Sequence, residues 1–513
     1  MTPFDRDAVH GFRFVRCEFD AGSGVARLVY AFDNGPELVE TITVPGAPFV
    51  LDDARAQAAE QALRLLHLIA GVSYYKAAVP GEIRIDSYSI DADTASLLEE
   101  VYLNGLGEFA YRNGLDLHGK IRFPALKPSP SRGGLGGDGV PVGGAETHPH
   151  PGPSGPAQRA GRSAGLRGSA AQTGRPHPPE GEGEKQGGEG DKLEAGKLGL
   201  RHHALVAIGG GKDSLVSIEA LRKAGVAQTV TWIGGSQLIR ACAERTGLPT
   251  LNIGRQLAPE LFEYNRQGAW NGHIPVTAIN SAIMAFAAVL LDADQVVFSN
   301  ERSASYGSQI EGTGEVNHQW SKGWTFERDF GAYLQREVAV DLHYYSLLRP
   351  LSELAVARQF AESDRYDAHF SSCNRNFHLL GERPVGRWCG VCPKCHFVFL
   401  ALAPFMPKPR LVAIFGRNLL DDPEQVPGYD ALLEYQDHKP FECVGEGRES
   451  RAAMAALAAR PEWREDAVVK RFAREILPQL DAGELDIAPL LVIDDEHRIP
   501  PALWEQLRAH FAA

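Results

Sequence analysis

His203-Ala204-Leu205-Val206-Ala207-Ile208, then Gly209-Gly210-Gly211-Lys212-Asp213-Ser214, then Leu215-Val216-Ser217-Ile218, is the stretch on which the fold turns. The apolar run reads as a buried strand, the glycines as a tight turn, and the residues from Ser214 to Ala224 as a helix. Three glycines remove side chains where a backbone must approach an anion closely. The helix start adds unpaired N–H groups and the positive end of its dipole. Phosphate is the natural guest. Lys212 supplies charge, Ser214 a hydroxyl at the cap, and Asp213 either a Mg²⁺ contact or a backbone clamp. The spacing is neither G-x-x-x-x-G-K-[ST] nor G-x-G-x-x-G, which argues against kinase-like and dinucleotide readings.

Working outward, strands are expected at Ala204 to Ile208, Thr229 to Ile233, Thr250 to Ile253 and Val296 to Ser299. Helices are expected at Gln237 to Thr246 and Ala278 to Leu291. Such βα alternation predicts a parallel sheet covered by helices, with ligands at the carboxyl ends of its strands. Upstream, Phe12 to Val44 alternates between apolar and polar residues around Gly22-Ser23-Gly24 and Asn34-Gly35-Pro36, the pattern of antiparallel strands. Helical spacing follows over Ala54 to Ala70 and Ala95 to Tyr111. The fold class is therefore α/β. A small α+β domain is expected over 1–126, a parallel-sheet domain over 198–420 and a mostly helical segment over 421–513. Residues 127–197, rich in Gly, Pro, Ser and charge, read as a disordered low-complexity insert that cannot offset its chain entropy by burial. His148, His150 and His177 within it read as incidental.

The 513 residues are 44% hydrophobic and 23% charged, an ordinary globular mixture. No stretch approaches the roughly 20 apolar residues of a membrane span, and the start lacks a signal-peptide pattern, so a cytoplasmic location and no membrane partner are expected. A net charge of -13 argues against a nucleic-acid partner. Cys373, Cys389, Cys392 and Cys395 form C-x15-C-x2-C-x2-C. Two-residue gaps let neighbouring thiolates converge on one tetrahedral ion, so a structural Zn²⁺ is expected, with an iron–sulfur cluster as the alternative.

The glycine loop resembles the SGGxDS PP-loop of the ATP pyrophosphatases, except that Gly209 stands where that family usually has Ser. The resemblance implies binding of ATP and Mg²⁺, with adenine lodged near Ile233 of Trp232-Ile233-Gly234-Gly235. Arg349-Pro350-Leu351-Ser352-Glu353-Leu354 is similar to that family's later Pro-Leu helix start, and the cysteine tail is similar to that of the zinc-holding queuosine-precursor nitrile synthases.

The wider pattern resembles the MurL family, the UDP-N-acetylmuramoyl-L-alanyl-L-glutamate epimerases. It is carried by Phe12-Arg13-Phe14, Tyr30 to Glu40, Gly272-His273-Ile274-Pro275-Val276-Thr277-Ala278-Ile279-Asn280, Ser299 to Ser305 and Cys389-Gly390-Val391-Cys392-Pro393-Lys394-Cys395. This resemblance implies a UDP-N-acetylmuramoyl dipeptide as substrate and inversion of its terminal glutamate through a carboxyl adenylate, with AMP and diphosphate released. Glu301 is then a candidate Mg²⁺ ligand or α-proton base, beside a surface ion pair with Arg302 as the plainer reading. His273 and His318 are further proton-transfer candidates, and Lys322 and Arg328 candidates for the substrate's anionic groups. A PP-loop nitrile synthase or tRNA-modifying enzyme is the alternative; sulfur transfer would need a reactive cysteine near the loop from among Cys17, Cys242 and Cys443.

Overall fold

The computed structural model describes residues 4–126, 195–310, 313–377, 383–435 and 438–512. Most of the expected insert, 127–194, lies outside the described residues. The described strands are β1 (Gly11–Asp20), β2 (Val25–Phe32), β3 (Leu38–Thr43), β4 (Glu82–Ile85), β5 (Arg201–Ala207), β6 (Gln228–Ile233), β7 (Thr250–Gln256), β8 (Ala293–Phe298), β9 (Ser308–Ile310), β10 (Gly314–Val316) and β11 (His343–Ser346). Nine of them form one sheet in the order β11-β8-β5-β6-β7-β3-β2-β1-β4. The half from β11 to β7 is parallel throughout, as the βα alternation predicts.

The strands of residues 1–126 do not build a sheet apart. β3 pairs antiparallel with β7, matching Thr41 to Gln256 and Thr43 to Gly254, so the sheet runs unbroken from one region into the other. Residues 1–127 and 194–513 accordingly form one compact unit. Composition marks where the chain is interrupted, but an open edge on β7 needs a partner, and β3 supplies it. Arg255 Nε donates to Glu40 Oε1 across this seam at 2.7 Å, with Glu40 sealed from solvent.

Successive residues of a strand face opposite sides of the sheet, and two cores result. Leu205, Val296 and Tyr344 face one core, where the helices Asp53–Ala70 and Val276–Leu290 pack against each other and against the aromatic cluster Phe12, Phe14, Tyr30 and Tyr74. Ala204, Val206, Val297 and Tyr345 face the other, filled by the helices Lys212–Lys223, Glu353–Ala361 and Pro393–Leu402. After residue 421 the described elements are helices, and Leu457, Trp463, Leu507 and Phe511 of this region are buried in that second core. Among the described residues no helix is long and apolar enough to cross a membrane.

Candidate functional site

The glycine loop leaves the carboxyl end of β5, between the ends of β6 and β8, and enters the helix Lys212–Lys223. Gly210 adopts φ +81°, a left-handed conformation that favours glycine. Gly211 caps the helix in an extended conformation, and a Cβ there would lie 2.6 Å from Ser372 Oγ. Ser371 N donates to Gly210 O at 2.8 Å. The segment leading into Cys373 therefore braces the loop from outside. Ser372 Oγ is buried without a hydrogen-bond partner, and an unpaired hydroxyl beside a bare-backbone turn fits an oxygen-rich anion. Ile233 ends β6 at the same edge of the sheet, and Ile239 of the next helix lies against Gly210.

Lys212 does not point freely into the loop. Its ammonium is wholly buried and pairs with Asp213 and with Glu353, the first residue of the helix Glu353–Ala361. Burial opposes its charge, but the two carboxylates outweigh that and hold its pKa above the ordinary lysine range. Lys394 Nζ lies 3.7 Å from the other oxygen of Glu353. Glu301 follows β8 at the same carboxyl edge and is buried. Burial, then the nearby charges of Glu353 and Asp213, push its carboxyl up to about 8. It forms no ion pair with Arg302, whose guanidinium instead donates to the carbonyls of Leu490 and Val492. Crowded carboxylates of this kind suit a hard divalent cation, which takes oxygen ligands and would relieve their repulsion.

Buried Arg349 fixes the framework around Glu301. It pairs with Glu327 and donates to the carbonyls of Glu301 and Lys322. Beside it, Arg302, Tyr306, Trp320 and Trp324 line a cleft of about 260 Å³. Arg328 is turned away, its guanidinium bound to neighbouring Asp329 at the surface.

His273 and His318 are not at the loop itself. Their ring centres lie 4.1 Å apart with the planes tilted by 41°, His318 Nδ1 is bonded to Glu108, and His273 Nδ1 lies 3.8 Å from the same carboxylate. Burial, then the charge of His318, lowers His273 to about 4. His318 behaves oppositely: burial opposes its charge, yet hydrogen bonds to Cys443 and Glu108 raise it to about 9. The partner of this histidine, Cys443, comes from the region after 421, where the sequence offers no interpretable motif. Glu353, Lys394 and Glu108 are likewise contributed by distant segments and were not singled out by any local pattern. Glu353 lay inside the quoted Pro-Leu stretch, and its position at a helix start was the available signal.

The four sulfurs of Cys373, Cys389, Cys392 and Cys395 lie within 4.8 Å of one another. Cys389 and Cys392 approach Cys395 to 3.7 and 3.5 Å. Tetrahedral zinc with bonds of about 2.3 Å requires sulfur separations of about 3.8 Å, so the donor set fits that ion. Gly390, at φ +68°, makes the knuckle, and Cys392 caps the helix Pro393–Leu402, whose dipole favours thiolate there. Cys242 lies beneath the loop, with Sγ 3.9 Å from Gly210 O, and burial raises its thiol to about 12. So protonated a thiol is a poor nucleophile at neutral pH.

A largely parallel α/β sheet with a glycine loop at the carboxyl end of β5 and a four-thiol knuckle defines the class. Within it, the chain belongs to the MurL family: the MurL N-terminal domain matches residues 3–144 and 172–347, and the MurL C-terminal domain matches residues 369–486. It is 69% identical over 512 residues, 100% of both chains, to the UDP-N-acetyl-alpha-D-muramoyl-L-alanyl-L-glutamate epimerase of Xanthomonas oryzae pv. oryzae (strain MAFF 311018). It is 39% identical to proteins of that name from a Micromonospora species, over 96% of both chains, and from Salinispora tropica, over 89% of this chain and 87% of the relative.

Proposed function

We propose that the protein inverts the terminal L-glutamate of UDP-N-acetylmuramoyl-L-alanyl-L-glutamate, using ATP to activate the glutamyl carboxyl as an adenylate. The observation that carries the substrate is full-length similarity to a relative named for that epimerisation. What supports ATP is the glycine loop with its orphaned Ser372 hydroxyl and the adjoining lysine–carboxylate cluster.

The chemistry is coherent. A free carboxylate resists loss of the neighbouring α-proton, because the carbanion would place two negative charges side by side. Adenylation removes one charge and lets the other spread onto oxygen as an enolate. In this reading Gly209, Gly210, Gly211 and Ser214 receive the phosphates, Lys212 and Asp213 hold the reacting end, and Ile233 borders the adenine. Asp213 and Glu301 would hold Mg²⁺, which neutralises charge on the phosphates when bound. The cleft beside Trp320 and Trp324 offers aromatic faces and Arg302 to a sugar nucleotide. The four cysteines would hold Zn²⁺ in a structural role, keeping Ser371 and Ser372 against the loop. In this pathway the product is a peptidoglycan precursor, for which a cytoplasmic site of action is expected.

Purified protein should release diphosphate only with the muramoyl dipeptide present and should introduce solvent deuterium at the glutamate α-position. Diphosphate release without isotope uptake would sink the inversion.

A further inference from the structure

Cys443 lies outside the four-thiol knuckle, just before the helix Gly447–Ala458, and is partly exposed. Three elements converge on it. Lys322 Nζ, from the turn Trp320–Lys322, stands 3.1 Å from its sulfur. Lys394 Nζ, from the helix Pro393–Leu402, is bonded to its carbonyl oxygen and lies 3.7 Å from Glu353. His318, itself bonded to Glu108, completes the set with a positive charge beside the thiol. An unbroken line of contacts thus runs from Asp213 through Lys212, Glu353 and Lys394 to Cys443.

We propose that Cys443 is the base that takes the α-proton from the activated glutamyl group. The proposal rests on the adenylation reading above, whose lysine–carboxylate cluster is joined to Cys443 through Lys394. A thiol between an ammonium and an imidazolium is held as thiolate. Burial alone would raise Cys443, but Lys322, His318 and Lys394 outweigh it and lower the thiol to about 5; Glu442 beside it is itself raised by burial to about 7. The two histidines are worse bases there: His318 is already protonated, and His273 is too weak.

The step balances. The Cα–H bond breaks, its proton passes to the Cys443 sulfur, and its electron pair becomes the enolate on the adenylate oxygen. The enolate takes a proton from solvent on the opposite face, water releases AMP from the inverted acyl group, and the thiol returns its proton to solvent.

The test uses the full-length protein with the muramoyl dipeptide, ATP and Mg²⁺ in D₂O. Cys443→Ala and Cys443→Ser are expected to lose α-deuterium uptake by about 10²–10⁴-fold, while still exchanging labelled diphosphate into ATP. Isotope uptake within tenfold of the parent in a folded variant would overturn the proposal. So would a substrate-mass adduct on Cys443, which would make the sulfur an acyl acceptor. A parent protein that shows no diphosphate exchange would overturn the adenylation reading first, and the proposal with it. Should both variants misfold, iodoacetamide mapping of the unaltered protein decides. Cys443 should be labelled down to about pH 5, with protection by dipeptide plus ATP; labelling confined to pH above 8 would refute the thiolate.

Discussion

Lys212 and Glu353 stand 141 residues apart in the chain, yet their charges meet directly with both side chains sealed from water. Removing one member of such a pair leaves the other charge uncompensated, which typically costs about 3–5 kcal/mol. Glu353→Ala, which leaves Lys212 only Asp213, is therefore expected to lower the unfolding free energy in urea by up to that amount. The double change Lys212→Met with Glu353→Met should recover much of the loss without restoring diphosphate release. A single variant as stable as the parent would mean that the pair is open to solvent.

Ser372 offers a sharper probe of the loop. A hydrogen bond to a charged group contributes about 1.5–3 kcal/mol, so Ser372→Ala should weaken ATP binding by about tenfold or more in calorimetry. Gly211→Ala should weaken it further, since the added carbon would press on Ser372 Oγ. Unchanged affinity in both would place the nucleotide elsewhere.

Glu301 gives the protein a predictable pH dependence. Its carboxyl is raised from 4.5 to about 8, so the folded chain binds more protons than the unfolded chain in that interval. Stability must then fall as pH rises from about 4.5 to about 8. Glu301→Gln should flatten the fall in melting temperature over this range while abolishing turnover. A variant with the parent's slope would assign the dependence to other groups.

Metal analysis should find about one zinc per chain and no iron or colour. Cys392→Ser should lose the metal, and stability with it. Because Ser371 holds the Gly210 carbonyl, ATP affinity should fall in parallel. Full ATP binding by metal-free protein would separate the two sites.

Local pattern carried the strands and helices beside the loop. The apolar run ending at Ile208 and the glycines after it act over a few residues, and alternation exposed Phe12, Phe14 and Tyr30 as inward-facing. The four cysteines were legible because ligand spacing is itself local. The meeting of Glu108, Glu353, Lys394 and Cys443 was not, since each comes from a different segment; Glu353 and Lys394 lay inside quoted motifs, but nothing in those motifs shows that they come together. Arg328 misled for the converse reason: a basic residue in a promising run pairs with Asp329 beside it. The join of β3 to β7 escaped because pairing between strands some 200 residues apart leaves no periodic trace.

That join limits how the chain can be divided. Cutting at the compositional boundary would strip β7 of Thr41 to Thr43 and strand Arg255 without Glu40. The liberated carboxyl-terminal half would carry a naked row of amides and carbonyls ready to zip onto its twin. Expression of that half is therefore a recipe for filaments or inclusion bodies, whereas excising the stretch between residues 127 and 194 leaves every described strand its neighbour.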